Sequence, residues 1–375
     1  MTIRLCRRCV NPSTRPNIFF DEEGVCPVCR FAEEKKNGKI DWGARKKEIE
    51  EIIQWGRLNS KSSYDCIVTV SGGKDSTRQA LFARDELKVK PLLVSCVYPP
   101  EQLHERGAQN LSNLISMGFD TLSVSLNPQV WKTLMRQGFF KYANWCKSTE
   151  MALYAIPIHV AIAYKIPLIF LGENPALTIG EKHGHLNGDA SRMKYCNTLE
   201  GGNPKNLLSK DITPKDIHFY TYPSDDDMEY GKLRIIYLGY HIKDWAGHKN
   251  AEFAVKRGLK TREDPPEMIG DLWGFTGLDE DFRIVNQFIK YVKFGFGHVT
   301  DQVCEAITEG LMERKDGFEL VKKYDGKCGY SYIERFCRYL GISEEEFWKV
   351  VESFRNKDIW HKDDKGEWKL DIDFS

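Results

Sequence analysis

Seven consecutive residues constrain this chain more than any others: Ser71-Gly72-Gly73-Lys74-Asp75-Ser76-Thr77. They follow Cys66-Ile67-Val68-Thr69-Val70, a short apolar, β-branched run that predicts a buried strand. They open Thr77 to Leu87, where Ala80, Leu81, Arg84 and Leu87 recur at helical spacing. A strand turning through two glycines into a helix makes an anion site. The glycines let backbone approach a phosphate, and the first helical N–H groups are unpaired at the positive end of the dipole. Lys74 adds a point charge, and Ser76 and Thr77 add hydroxyl donors. Asp75 would repel a phosphate unless a divalent cation bridges the two. The G-x-x-x-x-G-K-[ST] loop does not fit, because Val68 stands where its first glycine belongs and Asp75 separates Lys74 from Ser76.

A chain of 375 residues has room for roughly two to three domains and a large core. Its 41% hydrophobic and 29% charged residues are the mixture of a soluble globular protein. The formal net charge is zero, which argues against a nucleic-acid surface over the whole chain. Cys6, Arg7, Arg8 and Cys9 occupy the place of a leader's apolar core. The longest apolar stretch, Met151 to Leu171, is interrupted by Pro157, His159, Lys165 and Pro167 and predicts a buried helix and a strand, with no membrane insertion. With no secretory signal, the eleven cysteines point to a reducing cytoplasm, not to a disulfide framework.

Four of those cysteines form two pairs, Cys6-x2-Cys9 and Cys26-x2-Cys29, with sixteen residues between them. Thiolates from two tight turns at this spacing close a tetrahedron, so the expectation is a structural Zn²⁺ ribbon; an iron–sulfur centre is the alternative. Pro12, Pro16, Asn17, Gly24 and Pro27 supply turns, and Ile18-Phe19-Phe20 is a candidate ribbon strand. Residues 36–60 predict a charged linker helix with Ile49, Ile52, Ile53 and Leu58 as its contacts.

From about Ser62 strands and helices alternate, which predicts an α/β fold with a parallel sheet covered by helices on both faces. Ligands in such sheets bind at the carboxyl ends of the strands. The strand Pro167 to Leu171 ends in Gly172-Glu173-Asn174-Pro175. Glu173 there is a candidate to hold Mg²⁺ or orient a nucleophile, although the same residues also suit a solvated turn. Asn144-Trp145-Cys146-Lys147-Ser148-Thr149-Glu150 opens the buried helix, where Lys147 could meet a phosphate or lie on the surface. His183 and His185 read first as an ordinary polar loop, second as metal ligands. Residues beyond about 246 carry apolar stripes of successive helices, and Ser343 with Glu346 forms a capping box. Between two of them, Lys293-Phe294-Gly295-Phe296-Gly297-His298-Val299-Thr300-Asp301 is either a tight helix–helix turn or a substrate loop. The divisions expected are 1–35 (ribbon), 36–60 (linker), 61–245 (α/β domain) and 246–375 (mostly helical).

The Ser71 to Ser76 stretch resembles the SGGxDS signature of the PP-loop ATP pyrophosphatases. With the paired cysteines, Asn144 to Glu150, Gly172-Glu173-Asn174, Tyr237-Leu238-Gly239-Tyr240 and Lys293 to Asp301, it resembles one branch, the N-acetyl sugar amidotransferases of bacterial surface-polysaccharide synthesis. The resemblance implies that Ser71, Gly72, Gly73, Lys74, Asp75, Ser76 and Thr77 bind ATP. It casts Lys74, Asp75 (through Mg²⁺), Lys147 and Glu173 as catalytic groups. Lys147, Ser148, Asn174 and His298 become substrate contacts, His298 standing where the family more often has arginine. It further implies that the acetamido group of a nucleotide-linked sugar, in O-antigen synthesis, is adenylated and then converted to acetamidino by ammonia. Thr2 follows Met1 where an N-terminal nucleophile glutaminase would expose cysteine, and no cysteine sits in a nucleophile elbow. Ammonia is therefore expected from a partner glutaminase, with a cyclase-like subunit, resembling those of imidazole glycerol phosphate synthase. No nucleic-acid partner is expected; a PP-loop tRNA thiolase is the alternative reading.

Overall fold

Near-continuous burial marks four of the five strands that organise the chain, as a sheet covered on both faces requires. The computed structural model describes residues 2–196 and 199–374. Its N-terminal part comprises β1 (Ile3–Arg4), α1 (Pro27–Lys36) and α2 (Trp42–Asn59). The α/β part follows as β2 (Cys66–Thr69), α3 (Lys74–Leu81), β3 (Pro91–Val97), α4 (Glu105–Ser116), β4 (Thr121–Ser125), α5 (Pro128–Tyr142), α6 (Cys146–Tyr164), β5 (Leu168–Leu171), α7 (Pro175–Thr178), α8 (Asp225–Tyr230) and β6 (Arg234–Tyr237). The chain then turns helical with α9 (Gly247–Val255), α10 (Pro266–Ile269), α11 (Phe282–Phe294), α12 (His298–Thr308), α13 (Arg314–Tyr324), α14 (Tyr330–Leu340) and α15 (Glu344–Ser353). It ends in β7 (Trp360–Lys362), β8 (Trp368–Leu370) and β9 (Ile372–Asp373).

The sheet is parallel throughout, in the order β4-β3-β2-β5-β6. The chain builds outward from β2 through β3 and β4, then crosses to the other side of β2 for β5 and β6. The reversal opens a crevice beyond the carboxyl ends of β2 and β5. Because side chains alternate along a strand, Cys66, Val68, Leu168, Phe170 and Ile236 face one layer, with α2, α3 and α4. Ile67, Leu92, Val94, Ile169 and Ile235 face the other, with α5 and α6. The expected architecture, helices on both faces of a parallel sheet, is the observed one.

The helix expected within residues 36–60 is α2, which covers the sheet with Ile49, Ile52 and Ile53, and its Gly56 packs on Leu168. Leu58 differs from expectation: it is 80% exposed, because it lies on the far side of α2. The α3 helix begins three residues earlier than its apolar spacing predicts and ends in one π turn, residues 82–86. Residues 18–20 form no strand, and β1 instead pairs in parallel with β9 at the far end of the chain.

Two apolar clusters tie the helical region to the rest. Phe282, Val285, Phe336 and Phe347 share a core with Trp131, Phe139 and Trp145 of the α/β part. Val299, Val303 and Ile359 share another with Ile3, Leu5 and the four paired cysteines. The glycine-aromatic segment is the turn between α11 and α12. Gly295 caps α11 at φ 74°, and a Cβ there would lie 2.7 Å from Ile3 Cδ1 and 3.2 Å from Ile359 Cδ1. Phe296 is buried, with the Arg15 guanidinium 4.4 Å and Lys290 Nζ 4.6 Å from its ring centre. Asp325 holds the start of α12 by accepting from Gly297 N (2.7 Å), Val299 N (3.0 Å) and Thr300 Oγ1 (2.7 Å). Among the described residues no helix is long and apolar enough to cross a membrane.

Gly295→Ala adds both a left-handed-region penalty and a clash with β1. It is expected to cost about 1–3 kcal/mol in urea denaturation; an unchanged midpoint would show that β1 yields freely.

Candidate functional site

The Ser71–Thr77 segment leaves the carboxyl end of β2 at the sheet's reversal point. Gly72 has φ 83°, and a Cβ on it would lie 2.6 Å from Leu111 N in α4. Only glycine fits there. Gly73 caps α3, so Lys74, Asp75 and Ser76 form its first turn, with Thr77 N donating to Gly73 O at 3.0 Å. Ser71, Gly73, Lys74, Asp75 and Ser76 line a cavity of about 610 Å³, while Thr77 is buried behind it. That volume is within the usual range for a small-molecule site.

Asp75 is held from both sides. Lys74 Nζ pairs with Oδ2 at 2.5 Å, and Asn250 Nδ2 of α9 donates to Oδ1 at 2.8 Å. Burial opposes the charge on Lys74, but Asp75 beside it holds its pKa above the ordinary lysine value. Glu173, at the end of β5, faces the same cavity. Water reaches it through the opening, yet protein surrounds it on the other sides. Desolvation first, then the nearby Asp75, pushes its carboxyl up to about 7. Glu305 of α12 accepts from Gly247 N and lies in the same wall, also raised by burial. Three carboxylates around one lysine suit a site that receives a divalent cation together with phosphate.

The opposite wall comes from the helical region. His298, Asp301, Gln302, Glu305, Thr308 and Glu309 line the cavity from α12, and Arg283, Asn286 and Gln287 line it from α11. His298 Nδ1 lies 3.2 Å from an Arg283 terminal nitrogen, which must donate, so the ring is neutral. Burial, then the charge on Arg283, pushes its pKa down to about 3. Its Nε2 lies 3.5 Å from Asp271 Oδ2.

The structure brings Ser71–Ser76, Glu173 and His298 to one cavity but not the other expected site residues. Lys147 points away from it, pairing with Glu200 at 3.0 Å, and Ser148 is fully buried on the same helix. The helix start instead presents Cys146, Thr149 and Glu150 to the cavity. Helical spacing carries Lys147 and Ser148 round to the other side. Asn174 is spent on its own loop. Its Nδ2 donates to His185 O and Asn187 O, both at 2.8 Å, and its Oδ1 caps α7 by accepting from Ala176 N at 2.9 Å. Sequence reading did not single out Arg283, Gln287, Asn250 or Glu305. A signal for three of them exists: residues 283, 286, 287 and 290, and 298, 301, 302 and 305, are polar stripes at helical spacing. Such stripes ordinarily face solvent.

Cys6, Cys9, Cys26 and Cys29 are buried, and their sulfurs all lie within 4.8 Å of one another. Cys6–Cys29 and Cys9–Cys26 are each 3.8 Å apart. A tetrahedral ion with metal–sulfur bonds of about 2.3 Å places its ligands about 3.8 Å apart. Backbone N–H groups of Arg8 (3.4 Å), Cys26 (3.2 Å) and Asn11 (3.4 Å) point at Cys6 or Cys9 sulfur, as knuckle turns provide. The residues therefore fit a metal ion. Cys304 stands behind them, and Arg314 Nε donates to Cys9 O at 3.0 Å, so the site braces the helical region.

Residues 274–372 match the family described as LPS biosynthesis protein WbpG-like, C-terminal domain. That region supplies most of the wall facing Ser71–Thr77. No curated protein sequence matches the chain. Solved structures with similarity include NMN synthetase from Francisella tularensis, at 14% identity and TM-score 0.30, covering 60% of this chain and 99% of that one. Another is the U34-tRNA thiolase NcsA from Methanococcus maripaludis with its [4Fe-4S] cluster, at 14% identity and TM-score 0.31, covering 75% and 80%. Neither is close enough to define the fold, which rests on this chain's own sheet.

Two outcomes are expected. Cys26→Ser should lose bound metal and lower the thermal midpoint, read by elemental analysis and calorimetry; full stability without metal would make the thiols mere core. For Glu173, the folded chain holds its proton more tightly than the unfolded one. The carboxyl therefore subtracts stability as pH rises from 4.5 to about 7. Glu173→Gln should gain thermal stability over the parent chain between about pH 5 and about pH 8 without magnesium or nucleotide; a gap independent of pH would mean an unperturbed carboxyl.

Proposed function

We propose that this chain is an ATP-dependent, AMP- and pyrophosphate-forming synthetase that converts the acetamido group of a nucleotide-linked sugar to an acetamidino group. Its place would be lipopolysaccharide O-antigen synthesis in the cytoplasm. The observation that carries the reading is one cavity with two kinds of wall. One is the Ser71–Thr77 loop at the sheet's reversal point; the other belongs to the region matching the WbpG-like family.

The acetamido oxygen attacks the α-phosphorus of ATP and pyrophosphate leaves. Ammonia then adds to the imidate carbon, and AMP departs with the former amide oxygen. Amide oxygen is a poor leaving group, so adenylation supplies what proton transfer alone cannot. Backbone N–H groups of the loop and Lys74 neutralise phosphate charge. Asp75, aimed by Lys74 and Asn250, and Glu173 would hold Mg²⁺, which supplies further charge neutralisation when bound. Positioning two reactants in one cavity provides much of the remaining acceleration. Zn²⁺ is the proposed ion of the four-cysteine site, in a bracing role. Ammonia is proposed to come from a separate glutaminase with a cyclase-like subunit.

One observation favours tRNA thiolation instead: Cys146 lines the cavity. Its thiol donates toward Asn144 Oδ1 at 3.0 Å, and burial, then Glu150, pushes its pKa well above the ordinary thiol value. That holds it as a thiol, a poor sulfur nucleophile.

The test is AMP and pyrophosphate release from Mg-ATP with ammonium salt and a panel of UDP-linked acetamido sugars, with tRNA and sulfide as a second arm. Sugar-dependent AMP release, abolished by Lys74→Ala and giving a product one mass unit lighter, is expected. Turnover with tRNA and sulfide but no sugar would transfer the assignment to thiolation.

A further inference from the structure

The cavity's charges do not balance around Arg283. Of the lysine and arginine side chains that line it, Lys35 pairs with Glu309 at 3.0 Å and Lys74 with Asp75 at 2.5 Å. Nearby cations are also committed. Arg262 (2.6 Å), Arg106 (3.1 Å) and Arg335 (3.0 Å) converge on Asp281, and Lys290 (2.8 Å) and Arg15 hold Asp301. Among the described residues no carboxylate lies within ion-pair distance of the Arg283 guanidinium. Of its acidic neighbours, Glu280 is spent elsewhere, accepting from the backbone N–H of Phe282 (2.6 Å) and of Arg283 itself (2.7 Å), while Asp279 and Glu173 feel the guanidinium charge from beyond ion-pair distance.

The position is nevertheless built. Gly277, at φ 56°, lies under the side chain, and a Cβ there would fall 2.2 Å from Arg283 Cδ. One terminal nitrogen donates to His298 Nδ1 at 3.2 Å. A neutral acceptor orients the guanidinium without cancelling its charge. Asn286 and Gln287 flank it on the same cavity wall. A half-buried guanidinium that lines a cavity with no carboxylate in direct contact keeps its donors available to a ligand anion, and its fork geometry suits phosphate oxygens.

We infer that Arg283, oriented by His298 and given room by Gly277, is the subsite for the diphosphate of the second substrate, across the cavity from the loop that takes ATP. This rests on the proposed function for the identity of that substrate; the anion subsite itself does not. The same phosphate chemistry could come from ATP, so the experiment has two arms. The full-length protein is saturated with magnesium and a non-hydrolysable ATP analogue, then titrated calorimetrically with inorganic pyrophosphate and, separately, with UDP.

The parent chain should bind pyrophosphate on top of the analogue. Arg283→Gln should weaken that binding at least about tenfold, the loss of a charged hydrogen-bonded contact, with analogue affinity within about twofold. Arg283→Lys should recover part of it. Gly277→Ala, which displaces the side chain without removing it, should weaken pyrophosphate in the same direction, and thermal midpoints establish that each variant is folded. Three results would overturn the inference: no second-site pyrophosphate binding by the parent chain, binding indifferent to Arg283→Gln, or loss of the ATP analogue instead. Arg283-dependent pyrophosphate binding without UDP binding or sugar turnover would leave the subsite standing and count against the sugar reading.

Discussion

The approach of two backbones at Gly72 is the constraint on which the site depends. The loop after β2 runs so close to the Asn110–Leu111 peptide of α4 that a single Cβ on Gly72 would overlap it. That contact lets the chain turn at a left-handed dihedral and start α3 directly beneath the crevice. Move the turn outward, and the start of α3 no longer lines one cavity with Glu173 at the end of β5. The sheet order supplies the rest: because β2 and β5 are neighbours that leave in different directions, their loops open onto one space.

A cavity that is to take phosphate needs walls that balance its charge. Here the balance is uneven by construction. Desolvation first, then the neighbouring Asp75, makes Glu173 hold its proton toward neutral pH, and Asp75 is pinned between Lys74 and Asn250. Ligands that bring phosphate and a divalent cation together would relieve both. Arg283, the arginine of the cavity lining, makes no ion pair with a carboxylate among the described residues and sits on the far wall, where a second anionic group would arrive. Charge arrangement of this kind orients ligands as much as it binds them.

The four-cysteine site and the terminal strands act at a distance. Their cluster packs against α12, the helix that carries His298, Asp301 and Glu305 into the cavity. Arg15, from between the two knuckles, holds Asp301 and covers Phe296. The four-cysteine cluster therefore braces the helix that forms this wall of the cavity, a role that a metal held by the cysteines would strengthen from a distance.

Local patterns in the sequence determined a good deal. Strand–glycine–helix order pointed to the loop that lines the cavity, alternation of elements implied the parallel sheet, and cysteine spacing implied the four-sulfur cluster, because each depends on residues close in the chain. The capping box at Ser343 and Glu346 appears as read. Facing relations across long separations were decided only by the tertiary structure. Lys147 and Ser148 turn away because α6 starts at Cys146, and Asn174 is consumed by carbonyls that its own loop brings back. Arg283 and Glu305 lie on polar helix faces that resemble solvated ones until another wall stands opposite. Periodicity specifies which residues share a face, but what that face meets is set by packing between elements two hundred residues apart, and there the site was made.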